Sequence, residues 1–288
     1  MTDSHSARPA GDSRQPARIA VLGAGYLGTA LATAAAARGD EVWAIRRSAT
    51  DSRDDGVRWL QADITRRHVD GLPGQLDAVV LTIAPGGSGD YAGTYPPAAA
   101  AAVTLARESG ASLVYTSSTG VYGGALGEWV TEDNPRNGAG SGNDALRAAE
   151  DIVFASALRA ATVLRVAGIY GPGRDPRSRM QDAGLLPQRG AYWSNLAHRD
   201  DIVAAIFHVL SMPAAPAQVY NVSDGSPTLA ADVSRWLTVQ RGGDPDTLVF
   251  GNDELRSRND QRVSNSRLVH CGWTPRYPSF REGFTDGI

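Results

Sequence analysis

Three glycines, Gly23, Gly25 and Gly28, stand in the spacing G-x-G-x-x-G directly after the apolar run Ile19-Ala20-Val21-Leu22. An Ala-rich stretch of helical character, Thr29 to Arg38, follows. Strand, tight turn and helix N-terminus in that order are what a dinucleotide pyrophosphate requires. Gly23 is then expected to make the sharp turn, Gly25 to let the backbone approach the phosphates, and Gly28 to let the helix pack closely on the strand. The first helical N–H groups and the positive end of the dipole would face the anion. Tyr26 and Leu27, inside the turn, belong to the same expected contact surface.

The second strand, read over Glu41–Ile45, decides the cofactor. An NAD site carries a carboxylate at the end of that strand, roughly 20 residues after the glycines, for the ribose 2′-hydroxyl. Here Asp40 and Glu41 stand at the start of the strand, and Arg46 and Arg47 stand at its end. Two guanidiniums suit a 2′-phosphate, which they hold bidentately. NADP is therefore expected ahead of NAD; the competing reading is a pair of solvated surface arginines in a chain whose basic residues are all arginine, with no lysine. Asp63 closes the third strand and either binds the adenine amino group or caps the next helix. Ala84, closing the fourth strand, joins the expected cofactor wall.

The 288 residues carry a net charge of −3 and no basic run long enough to be a nucleic-acid or anionic-membrane footprint. No apolar run approaches the ~20 residues of a membrane span. Residues 1–17 have no apolar core and read as a disordered tail rather than a signal peptide, so a cytoplasmic protein is expected. Strands at Val57–Ala62, Ala78–Ala84, Ser112–Ser117 and Ala161–Val166 alternate with helical stretches at Pro97–Glu108 and Asn143–Arg159. This alternation points to an α/β fold, a Rossmann-type doubly wound parallel sheet with a smaller C-terminal substrate lobe. The expected division is a core over 18–168, rejoined by 197–222, and a lobe from 169–196 and 223–288.

Thr116-Ser117-Ser118-Thr119-Gly120-Val121-Tyr122-Gly123, together with the glycine turn, resembles the extended short-chain dehydrogenase/reductase superfamily, in its NAD(P)-dependent epimerase/dehydratase group. Leu164 to Gly173 is similar to its L-R-x-x-x-x-Y-G-P-G segment, and Asn195 to Ile202 to its N-x-x-H-x-D-D stretch. Tyr220–Val222, Arg262–Asn265 and Gly272–Pro275 match its closing segments, so the resemblance runs from about Ile19 to Gly283.

The resemblance implies a Ser or Thr that hydrogen-bonds the substrate oxygen and a Tyr that carries the proton. A Lys four residues later lowers the pKa of that Tyr from about 10. Ser118, four residues before Tyr122, takes the Ser position. Counting back from Glu150 of Ala148-Ala149-Glu150 puts Gly142 and Leu146 at the Tyr and Lys positions, and a shift of one gives Asn143 and Arg147. The usual dyad is absent. This departure is similar to the atypical, YeeZ-type branch of small bacterial proteins, which shares the run through Arg174.

Tyr122 is then the first candidate to carry a proton, against the packing or pocket-lining role that the resemblance gives it. His198 titrates in a suitable range, but its motif implies a structural role. Tyr170 is expected to border the substrate pocket. Arg174 and Arg262 suit an anionic substrate such as a nucleotide-sugar diphosphate, or are solvated loop arginines. Glu128, Glu132 and Asp133 lie in the loop ahead of the missing dyad without a clear role. Cys271 is expected to be a small buried hydrophobe, and no residue spacing suits a metal. Two readings follow: an NADP(H)-dependent oxidoreductase or epimerase on a small carbonyl or alcohol, with Ser118 and Tyr122 catalytic, or a catalytically silent NADP(H) binder. The preserved Ser118 favours the enzyme. The resemblance also implies a homodimer.

Overall fold

The computed structural model describes residues 15–49, 55–66, 69–123, 126–175, 190–215, 217–250 and 260–285. Most of the expected tail and residues 176–189 of the expected lobe lie outside the described residues. In chain order the strands are β1 (Arg18–Leu22), β2 (Glu41–Arg46), β3 (Val57–Gln61), β4 (Ala78–Leu81), β5 (Ser112–Ser118), β6 (Trp129–Val130) and β7 (Ala161–Val166). Then come β8 (Gly168–Tyr170), β9 (Trp193–Ser194), β10 (Leu196–His198), β11 (Gln218–Val222), β12 (Thr228–Leu229) and β13 (Arg262–Val263). The helices are α1 (Tyr26–Ala37), α2 (Tyr95–Ser109), α3 (Ser141–Phe154), α4 (Arg199–Ser211), α5 (Ala230–Gln240), α6 (Ser266–His270) and α7 (Phe280–Thr285).

Seven strands form one sheet in the order β11-β7-β5-β4-β1-β2-β3, every neighbouring pair parallel. The fold is a Rossmann-type α/β sheet. The chain steps outward from β1 to β3, then returns to β4 and builds the other half. That reversal opens a crevice at the carboxyl ends of β1 and β4, where doubly wound sheets bind ligands. Central strands such as Ala78–Leu81 are buried at every position because helices cover both faces. Leu31 and Ala35 of α1 pack with Ile202 and Ile206 of α4 on one face. Ala99 and Ala102 of α2 pack with Ala149 and Val153 of α3 on the other.

Element ends differ from the sequence reading for local reasons. β4 stops at Leu81; the Thr82 N–H still donates to the Leu22 carbonyl at 2.8 Å, and its hydroxyl donates to the Gly23 carbonyl at 2.9 Å. Ile83 and Ala84 leave the sheet and line the crevice instead. α2 begins at Tyr95, two residues earlier than read, since prolines are tolerated in the first helical turn. α3 ends at Phe154, and Ala157 reverses the chain with φ of 52°.

The C-terminal segment docks on a buried polar knot. Asp201 accepts the N–H groups of Arg276 and Tyr277 at 2.7 and 3.1 Å. Nearby Asp224 is 5% exposed; its Oδ1 accepts the Ser226 N–H at 2.9 Å, and its Oδ2 is buried with no hydrogen-bond partner among the described residues. Burial, with Asp201 and Glu282 adding negative charge, pushes the Asp224 carboxyl up to about 8. The folded protein therefore holds this proton more tightly than the unfolded chain, whose Asp titrates near ~3.9. The stability attached to the protonated form is complete below the unfolded value and is lost as pH rises through about 8. D224N removes the titration. In urea unfolding at pH 5, 7 and 9, the midpoint of D224N should gain on that of the parent at each step; a gap constant with pH would refute the assignment.

Candidate functional site

The crevice is built around the glycine turn. Gly23 has φ of +95°, and a Cβ there would lie 2.8 Å from the Ile83 Cα. The N–H groups of Gly23 and Ala24 both donate to the Ile45 carbonyl, at 3.0 and 2.8 Å, tying the turn to the end of β2. A Cβ on Gly28 would meet the Thr82 Oγ1 at 2.5 Å and the Gly23 carbonyl oxygen at 2.6 Å. Gly25 differs: the nearest atom to its Cβ position is 4.0 Å away. Gly25 is also the N-cap of α1, with no side chain bonded to the cap and no acidic residue in the first turn. Backbone donors and the positive end of the helix dipole are thus open to an anion.

A cleft of about 900 Å³ runs from this turn along the carboxyl ends of the strands. Gly23, Gly25, Tyr26, Leu27 and Ala84 line its middle, beside Thr82 and Ile83. One end holds Arg46, Arg47, Ser48, Asp63 and Arg66. There the Arg46 Nε donates to the Ser48 Oγ at 2.9 Å. Asp63 Oδ1 accepts the Thr65 hydroxyl at 2.7 Å and the Thr65 N–H at 3.0 Å, and the hydroxyl bond is the main reason its carboxyl titrates below the usual range. Asp63 thus closes the turn after β3 while lining the cleft. Ser48 and Arg66 were not singled out in the sequence, because flanking loop positions carry no periodic signal.

The other end holds Ser118, Tyr95 and Leu146, and Arg174 joins the lining beside Tyr26. Ser118 ends β5 half-buried, and its Oγ accepts the Gly120 N–H at 3.1 Å. Leu146, on α3, lines the cleft at one of the two positions where the resemblance calls for Lys. Arg147 turns away to the Gly138 carbonyl and Asp144. Arg174 stands over the ring of Tyr26 at 5.3 Å, and the Tyr26 hydroxyl donates to the Pro172 carbonyl at 3.1 Å. Asp90, Thr94 and Tyr95 also face the cleft. Reading α2 from Pro97 left Tyr95 outside the helix and hid it.

Several expected site residues are not brought to the cleft. Tyr122 is buried; its hydroxyl donates to Asn221 Oδ1 at 2.7 Å and accepts from Arg165 Nη1 at 2.9 Å. Burial raises its pKa. Tyr170 is fully buried, donates to the Ser279 carbonyl at 3.3 Å and stacks on Phe284 with centroids 5.4 Å apart. Arg262 lies between Trp129 and Trp193, 5.3 and 5.1 Å from their rings, and its Nε donates to the Gly127 carbonyl at 2.7 Å. His198 is buried and caps α4, its Nδ1 accepting the Asp200 N–H at 3.2 Å. Glu132 accepts the Asn221 N–H at 2.7 Å, and Asp133 pairs with Arg267 at 2.7 Å. Cys271, expected to be buried, is exposed beyond the end of α6.

The glycines make a paired test. Gly28→Ala drives its Cβ into the backbone of the turn, which cannot yield without breaking the Thr82 contact, so a loss of ~1–3 kcal/mol is expected. Gly25→Ala meets no atom and should unfold within ~1 kcal/mol of the parent, the ordinary range of a Gly-to-Ala change. Equal thermal shifts for the two variants would contradict the geometry.

The comparisons agree with this architecture. A model of the NAD dependent epimerase/dehydratase family matches residues 19–223. Protein YeeZ of Escherichia coli strain K12 is 32% identical over 219 residues, 71% of this chain and 77% of that protein. A provisionally named NAD-dependent epimerase/dehydratase from Methylobacillus flagellatus superposes with a TM-score of 0.75 at 29% identity, covering 94% of this chain and 97% of that one. MoeE5, in complex with UDP-glucuronic acid and NAD, superposes with a TM-score of 0.78 at 22% identity, covering 94% and 97%. The chain belongs to the NAD dependent epimerase/dehydratase family.

Proposed function

We propose that this protein binds NADP(H) and acts as an oxidoreductase or epimerase on a carbonyl or alcohol of a small molecule, with a sugar nucleotide as the favoured class. One observation carries the reading: the glycine turn, Arg46 and Arg47, and Ser118 all line a single cleft. Its volume, about 900 Å³, suits a dinucleotide with room beside it. The open space over Gly25 and the uncapped start of α1 fit a pyrophosphate. Arg46, Arg47 and Ser48 would hold the 2′-phosphate, and Asp63 would face the adenine. A bound nicotinamide supplies the means of hydride transfer.

The protein's own residues then orient the substrate. Ser118 accepts from Gly120, so its hydroxyl proton remains to be donated to the substrate oxygen. Arg174 supplies a cation to the same cleft, beside Tyr26, suited to a substrate diphosphate. A UDP-sugar bound by MoeE5 supports that class. Tyr122, with its hydroxyl satisfied in the interior, takes a structural part in this reading.

A second reading, an NADP(H)-binding protein with no catalysis, is favoured by Gly142 and Leu146 standing where the dyad belongs. NADPH consumption separates the two. The enzyme reading expects oxidation of NADPH by at least one member of a broad carbonyl panel, reduced at least about tenfold by Ser118→Ala, with folding intact. Retained NADPH with every carbonyl, together with no exchange of the carbinol hydrogen of sugar nucleotides incubated with the protein and oxidised cofactor, supports the silent binder.

Cofactor choice has a separate test. Arg46→Asp should weaken NADPH binding at least about tenfold by placing like charge beside the 2′-phosphate, while changing NADH binding much less. Fluorescence titration of both cofactors reads this directly, and equal losses would sink the 2′-phosphate assignment.

A further inference from the structure

In one of the two registers, helix α3 presents Gly142 and Leu146 where the resemblance calls for a proton-carrying Tyr and its Lys partner, and two tyrosines, one starting α2 and one in the loop ahead of it, lie against that face. A Cβ on Gly142 would lie 3.4 Å from two ring carbons of Tyr91, so that ring covers the glycine. Four residues on, Tyr95 packs against the cluster that contains Leu146, and its ring lies 6.1 Å from that of Tyr91. Gly142 is thus met by Tyr91 from the loop ahead of α2, and the Leu146 cluster by Tyr95, the first residue of α2. Of the two phenols, Tyr95 lines the cleft that holds Ser118.

We infer that Tyr95, which α2 brings into the cleft that Ser118 and Leu146 line, is the catalytic proton donor of this protein in place of the absent tyrosine of α3. The inference rests on the enzyme reading above. In carbonyl reduction, the hydride for the carbonyl carbon would come from a dihydronicotinamide bound in the cleft. The Tyr95 O–H bond breaks as a new O–H bond forms on the oxygen that Ser118 holds. Solvent returns a proton to the phenolate through the open cleft. Half-burial keeps Tyr95 titrating above its ordinary value, with the neighbouring Tyr91 adding to the shift, so the phenol stays loaded across neutral pH.

Tyr95→Phe and Tyr91→Phe test the assignment. NADPH affinity is read by fluorescence titration. Turnover is read with an aromatic quinone, an aliphatic aldehyde, an α-dicarbonyl and a nucleotide-linked keto sugar. Tyr95→Phe should lose about 100-fold or more in kcat, the scale of a removed general acid, while binding NADPH within about twofold of the parent. Tyr91→Phe, which keeps the ring over Gly142, should retain the parental rate. An independent reading follows phenol ionisation by ultraviolet absorbance: saturating NADP+, with its cationic ring, should raise the acidity constant of one tyrosine about tenfold, and Tyr95→Phe should abolish that shift. A parental rate in Tyr95→Phe, or the same shift in that variant, overturns the assignment alone. A parent that binds NADPH yet reduces none of the four carbonyls overturns this inference, and the enzyme reading with it where no carbinol hydrogen is exchanged either; absence of NADPH binding overturns the cofactor reading.

Discussion

Glu150 is fully buried on α3, with its carboxylate shielded from the surface. Such a charge is tolerable only when donors surround it. Four do: the Ser117 Oγ at 2.7 Å, the Arg165 Nη2 at 2.8 Å and Nε at 3.0 Å, and the Arg136 Nη1 at 3.2 Å. The net stabilisation from such a pair is small, because attraction in the interior mostly offsets lost hydration. Its consequence is arrangement. Removing one partner would leave a buried charge exposed to a cost of ~3–5 kcal/mol, so α3 has one way to sit on β5 and β7.

From that node the order spreads outward. Arg165 reaches the Tyr122 hydroxyl, Tyr122 reaches Asn221 on β11, and Glu132 holds the Asn221 N–H. Ser118 follows Ser117 directly, and Leu146 stands one helical turn before Glu150. The substrate end of the cleft is therefore positioned by a buried polar network, while the glycine end is positioned by steric contact of Gly23 and Gly28 with Thr82 and Ile83. These are different physical causes acting on different strands. The residues of α3 that face the cleft can change without disturbing the phosphate cradle.

That division explains what could be read from the chain. Gly23 and Gly28 were legible because backbone sterics permit no other residue there, and such a constraint needs only local spacing. The alternation of strands and helices was legible because β4 and its neighbours must be apolar to lie between two helical layers. Tyr122 and Tyr170 sit in recognisable segments, yet a segment gives order along the chain and says nothing of which way a side chain turns. Both rings turn inward, one to Asn221 and Arg165, the other to Phe284. Arg262 was legible as a cation, but the two tryptophans that enclose it come from β6 and β9, far away in sequence. Tyr95 lay hidden because its partner surface belongs to another helix.

The lack of lysine then has a consequence for any phenol in the cleft. A phenol becomes a useful base near neutrality only where a neighbouring cation stabilises the phenolate. Leu146 gives the cleft an apolar surface at that point, and burial raises Tyr95. Were Tyr95 the proton carrier, it would work against the apolar wall of Leu146 rather than beside a lysine on α3, with burial opposing its ionisation and the same burial making the phenol a weaker acid.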